Sequence, residues 1–170
     1  MQNYFQLFAL TPEFDIDAQQ LEASYQAQIA QYHPDKFASE DEKSQLQAVQ
    51  NTSLINSAFD TLKDPLNRAT YLLELNNIQA FDEKDTKMDV DFLMAQIELR
   101  ESLEAIQADA DELALDDFIE NIGAKIKDNI AQISTLFASG EMLRIKNLVR
   151  ELKFYTQLNT QAQALMDEFL

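Results

Sequence analysis

Residues 18–37 read AQQLEASYQAQIAQYHPDKF, and this stretch decides the fold. Asp17 stands where an N-cap belongs, with Gln20 three positions on in capping-box spacing. Leu21, Tyr25, Ile29 (or Gln28) and Tyr32 then recur at helical spacing, which predicts a helix over 18–32 with one buried stripe. Pro34 ends it, because proline lacks an amide proton and pushes the preceding residue out of helical geometry. His33-Pro34-Asp35 therefore forms a fixed turn, with His33 and Asp35 in a set relative pose and Asp35 expected to accept backbone hydrogen bonds. Such a turn is a poor core element and a poor catalytic site. On residue chemistry alone it reads equally as a helix stop with an incidental histidine and as a rigid contact point for another protein.

Working outward, residues 3–10 read as a short helix carrying Tyr4, Phe5, Leu7, Phe8 and Leu10, broken by Thr11-Pro12. Phe37 to Glu40 form a loop tip. A longer helix follows over about 41–62, with Leu46, Val49, Ile55, Ala58, Phe59 and Leu62 as its apolar stripe. Asp64-Pro65 restarts a helix, with aspartate at the cap and proline at the first helical position. Leu66, Ala69, Leu72, Leu73 and Leu75 lie on it. Polar residues 76–88 read as a linker. Three helices are then expected, over about 89–109, 112–137 and 140–169, with Asp89 as a cap and Gly140 at the last turn. The fold class is all-α, with a helical hairpin over 1–75 and a three-helix bundle over 89–170. The short linker and Leu72, Leu73 and Leu75 suggest domains that pack together.

Composition agrees and narrows the function. Two glycines and three prolines in 170 residues suit long helices with few turns. Thirty acidic and thirteen basic residues give a net charge of −17, which repels nucleic acid and anionic membranes and favours a monomer. The chain has no cysteine and one histidine, so no thiolate catalysis and no Cys- or His-rich metal or cluster site is expected. No Ca²⁺-loop spacing, nucleophile, oxyanion hole or phosphate loop is visible, so neither a cofactor nor an enzymatic role is expected. No apolar run approaches bilayer length, and MQNYFQLFAL lacks a basic region and a cleavage site. The expected location is cytoplasmic.

Residues 1–75 resemble a J-domain. The order of elements, His33-Pro34-Asp35-Lys36-Phe37, Tyr4 and Leu7, the run Asn56, Ala58 and Leu62, and Asp64-Pro65 with Arg68-Ala69-Tyr71 carry the likeness. The resemblance implies binding to an Hsp70 ATPase domain, with His33, Pro34 and Asp35 as activating residues and Lys36 and Arg68 as auxiliary contacts. One departure is specific to this chain. J-domains present a basic second helix, whereas residues 18–32 contain no lysine or arginine and place Gln26, Gln28 and Gln31 at positions expected to be exposed. Electrostatic steering should then be weak.

In the second half, residues 92–106 read FLMAQIELRESLEAI. Phe92, Leu99, Leu103 and Ile106 fit one buried stripe, while Leu93, Met94 and Ile97 begin another that Glu98 and Glu101 continue. By residue chemistry alone wide core burial is the favoured reading, with a partner surface the alternative. The whole chain is similar to the HscB family of iron–sulfur co-chaperones. That resemblance implies an L-shaped arrangement of the two domains and two partners, the cluster scaffold IscU and the specialised Hsp70 HscA. Scaffold binding is then expected at Leu93, Met94, Ile97, Glu98 and Glu101, joined by an exposed Phe154. Ala105 leaves the acidic edge shorter, since the family can carry glutamate there. A general Hsp70 with another client, and a helical adaptor that activates no Hsp70, are the competing functions.

Overall fold

A computed structural model describes residues 3–82, 84–85 and 87–170. Two residues of the expected linker, Glu83 and Thr86, lie outside the described residues, as do Met1 and Gln2 of the N-terminal stretch. Every regular element among the described residues is helical. The chain divides into two compact units, residues 1–75 and 76–170.

The first unit starts with α1 (Tyr4–Leu7), shorter than the expected 3–10. Asn3 and Gln6 close a capping box around its start, and Ala9 turns the chain out at φ +55°. α1 is fixed to α4 (Pro65–Leu75). The Tyr4 amide donates to the Tyr71 hydroxyl at 3.0 Å, and the two rings stack at 4.6 Å. α2 (Ala18–Tyr32) begins as expected, with Asp17 accepting from the Gln19 and Gln20 amides. It pairs with α3 (Glu42–Lys63). Tyr25 stacks on Phe59 at 4.0 Å and donates to Asn56 at 2.7 Å. The Thr52 hydroxyl donates to the Tyr32 carbonyl, satisfying an orphan acceptor at the end of α2.

That last bond marks where the hairpin stops. Tyr32 is the final residue of α2, so α3 residues before Thr52 run beyond it. Ala48 is buried there, but Leu46 and Val49 are exposed, against the expected stripe. The inward register of α3 is Ala48, Ile55, Ala58 and Leu62. On α4, Ala69, Leu72 and Leu73 are buried while Leu75 is exposed. Gln28 also departs from expectation. It is half-buried, and its amide donates to the Leu7 carbonyl at 2.8 Å, tying α2 to the end of α1.

The second unit is a bundle of α5 (Val90–Asp109), α6 (Glu112–Ser139) and α7 (Met142–Phe169). Asp89, Asp111 and the left-handed Gly140 (φ +80°) supply two N-caps and a C-cap. The two long helices form a hairpin, and α5 packs against both. Phe92 and Leu103 of α5, Leu115, Phe118 and Ile122 of α6, and Phe154, Leu158, Ala162 and Leu165 of α7 share one core.

The stretch expected as a linker is not loose. It belongs to the second unit and is strapped along α7. The Lys153 ammonium sits 4.4 Å from the Phe81 ring centroid. The Asp85 carboxylate pairs with Lys146 at 2.5 Å, and Arg150 donates to the carbonyls of Lys87 and Asp85. The hydrogen bond from Lys146, followed by the Lys87 amide, holds the Asp85 carboxyl below the usual carboxylate range. A carboxyl with a lowered folded pKa stabilises the strap above its unfolded value near ~4, and that contribution fades as pH falls through the lower folded value. The Asp85→Asn protein is therefore expected to be cut faster by trypsin at Lys84 or Lys87 at neutral pH. Its urea midpoint should converge with that of wild type only in strong acid. Equal cleavage rates at neutral pH would count against the strap.

Candidate functional site

The first surface is the turn at the end of the α2–α3 hairpin. His33 leaves the helix at φ −60° and ψ +134°, the extended geometry that Pro34 imposes on its predecessor. Pro34–Phe37 then make one 3-10 turn. The hydrogen bonding reverses part of the expectation. Asp35 does not organise the turn as an acceptor. Its amide donates to the His33 Nδ1 at 3.2 Å, and the Lys36 amide donates to the His33 carbonyl at 3.0 Å. With its lone pair used at Nδ1, the neutral imidazole carries its proton on Nε2 and offers it as a donor. The Asp35 carboxylate is almost fully exposed, 3.6 Å from Nδ1. Lys36 is exposed beside it. The turn thus holds a donor, a carboxylate and an ammonium in one rigid tip, which suits recognition by a protein.

Arg68 is elsewhere engaged. Its guanidinium donates to the Phe14 carbonyl at 2.6 Å and the Leu62 carbonyl at 2.8 Å, and it stacks over the Phe14 ring at 4.8 Å. Burial lowers its pKa, against the pull of Asp15 and Asp64. The expected auxiliary contact is a clasp that fastens the loop before α2 to the α3–α4 corner.

The second surface is the outer face of α5. Leu93, Met94 and Ile97 are 41%, 57% and 58% exposed, and Glu98 and Glu101 are exposed on the same side. The structure brings these five predicted residues together. Phe154 does not join them. It is 6% exposed and sits beneath α5, edge-on to Phe92 at 5.7 Å, with Arg100 5.3 Å over its ring. Two residues do turn the side chain about 200° from Leu152. But α7 packs on two helices, so both of those directions are buried. Sequence reading missed Val90, which continues the exposed ladder one turn back; its i, i+3, i+4, i+7 spacing with Leu93, Met94 and Ile97 was the available signal.

Among the described residues, no helix is long and apolar enough to cross a membrane, and no three His, Cys, Asp or Glu side chains gather as a metal-holding group. Residues 3–71 match the DnaJ domain family, and residues 88–163 match a family described as the HSCB C-terminal oligomerisation domain. The chain is 41% identical over 169 residues to a co-chaperone protein HscB homolog of Vibrio cholerae, covering 99% of each. It is 40% identical to that of Aeromonas hydrophila over 97% of this chain and 96% of the relative. The solved structure of chaperone HscB from Vibrio cholerae matches with a TM-score of 0.89 at 39% identity, covering 99% of this chain and 100% of that one. The human co-chaperone HscB crystal structure gives 0.88 at 25% identity, over 96% of this chain and 82% of that one. A His-Pro-Asp hairpin followed by an acidic helical bundle places the chain among the J-domain co-chaperones. The chain belongs to the HscB family, the J-domain co-chaperones of iron–sulfur cluster assembly.

Proposed function

We propose that this chain captures the scaffold IscU on the outer face of α5, delivers it to HscA, and stimulates ATP hydrolysis by HscA through His33, Pro34 and Asp35. The observation that carries the reading is the exposed ladder Leu93, Met94 and Ile97 edged by Glu98 and Glu101, on a helix whose opposite side is core. Exposed apolar side chains beside carboxylates suit a partner with an apolar spot near basic residues. Two contact surfaces on one chain raise the local concentration of scaffold near the chaperone. The net charge of −17 disfavours a second copy as occupant of the α5 face, so the working form in this reading is a monomer, although the matching family's description names oligomerisation. A cytoplasmic location is part of the same reading.

Single-turnover ATP hydrolysis by HscA, with and without IscU, tests it. Wild type should stimulate hydrolysis synergistically with IscU. His33→Gln should lose stimulation by about tenfold or more while its helical content and melting match wild type. The glutamine amide overlays Nε2 and not Nδ1, so His33→Asn, whose Oδ1 can take the Asp35 amide, is the companion variant that keeps the turn's hydrogen bond. Undiminished stimulation by His33→Gln would remove His33 from the activating role.

A further inference from the structure

The exposed face of α5 does not end at Leu93. Val90 is 66% exposed, more than Leu93, Met94 or Ile97. At about 100° per residue, Val90 and Ile97 lie nearly in line, with Leu93 and Met94 on either side. The four form one continuous apolar ladder over two turns. Helix formation does not ask for valine at this position. Asp89 does the capping, and a β-branched side chain is a weaker helix former than alanine.

At the same end, Met88, Asp89, Phe92, Asn147, Arg150 and Glu151 line a groove between α5 and α7. Asp89 stands four residues before Leu93 and so borders the ladder. Burial, and then the nearby Asp89 charge, push the Glu151 carboxyl above its usual range. Arg150 lines this groove too, but its guanidinium donates to the connector carbonyls. Among the described residues neither Asp89 nor Glu151 forms an ion pair. The ladder thus has a carboxylate edge at each end, Asp89 at one and Glu98 with Glu101 at the other. This charge pattern complements a partner segment with an apolar centre and a basic side chain at each flank, the flanks about 14–18 Å apart along the helix.

We propose that Val90 is a further apolar anchor for the partner that docks on Leu93, Met94 and Ile97, and that Asp89 closes this end of the face against a basic side chain of that partner. The inference rests on the reading of that partner as IscU, and the surface is continuous with the face assigned to it above.

Calorimetric titration of IscU into the full chain tests both parts. Val90→Ser removes apolar area from an exposed position and should weaken binding about tenfold with melting unchanged, whereas Val90→Leu should hold or tighten it. Asp89→Asn keeps a capping oxygen and removes only the charge. It should weaken binding about threefold at low salt and converge with wild type at high salt. Wild-type binding left unchanged by Val90→Ser would overturn the anchor, and an Asp89→Asn salt profile identical to wild type would overturn the basic contact. Absence of binding by wild type itself would instead overturn the IscU reading, and this inference with it.

Discussion

Arg68→Ala is expected to destabilise the N-terminal unit by about 3–5 kcal/mol, enough to populate its unfolded state at physiological temperature. The guanidinium reaches two carbonyls that belong to distant parts of the chain, at Phe14 and Leu62, and covers the Phe14 ring. Alanine removes the Arg68 hydrogen bonds to both part-buried carbonyls and forfeits the stacking contact. Arg68→Lys should recover little, since one ammonium cannot reproduce a planar fork aimed at two carbonyls. Urea denaturation of the full chain, followed by a probe in the first unit, reads the loss directly. A variant that melts like wild type yet fails to stimulate an Hsp70 would instead make Arg68 a partner contact, as its sequence position suggested.

Phe154→Ala is the second large effect, expected at about 3–4 kcal/mol in the bundle. The ring fills the space beneath α5 and meets Phe92 and Tyr155 edge-on, so its removal leaves a cavity in the middle of the core. Leu93→Ala, at an exposed position, should cost no more than about 0.5 kcal/mol. The two substitutions therefore separate. Leu93→Ala should weaken scaffold binding at constant melting temperature. Phe154→Ala should weaken it only as far as it loosens the seat of α5, and Phe154→Leu should restore stability and binding together. Lost affinity in a Phe154→Ala protein of unchanged melting would place the ring in the interface itself.

What could be read from the sequence was what is local. Asp17, Asp64-Pro65 and Asp89 mark helix starts because a cap depends on a few neighbouring atoms, and Gly140 marks a turn because only its backbone adopts φ +80° without strain. The exposed face of α5 was not settled by its residues, since its second apolar patch suited burial between two neighbours equally well, and only the family resemblance pointed outward. What escaped depends on contacts between distant residues. Leu46 and Val49 are exposed because α2 ends opposite Thr52, a fact of relative helix length. Phe154 is buried because α7 serves two neighbours, and a helical wheel drawn for one neighbour hides its second side. Asp85 and Lys146 lie 61 residues apart, so nothing local announced that the connector would be fastened.

The two-sided character of α5 also bears on how this protein can change over time. An amphipathic helix has one rotational setting that hides its oily side, and drift in sequence is free elsewhere. α5 has oily residues on both sides, so hydrophobicity alone leaves its rotation undecided. Asp89 at its start and the ring of Phe92 wedged against Phe154 and Tyr155 choose the setting. A substitution that turned α5 by one residue would exchange about 100° of the exposed apolar ladder for core. Exposed polar positions off the ladder, such as Ser102, Glu104 and Gln107, are free to vary, whereas changes at Phe92 or Phe154 would reach the outer face by tilting the helix.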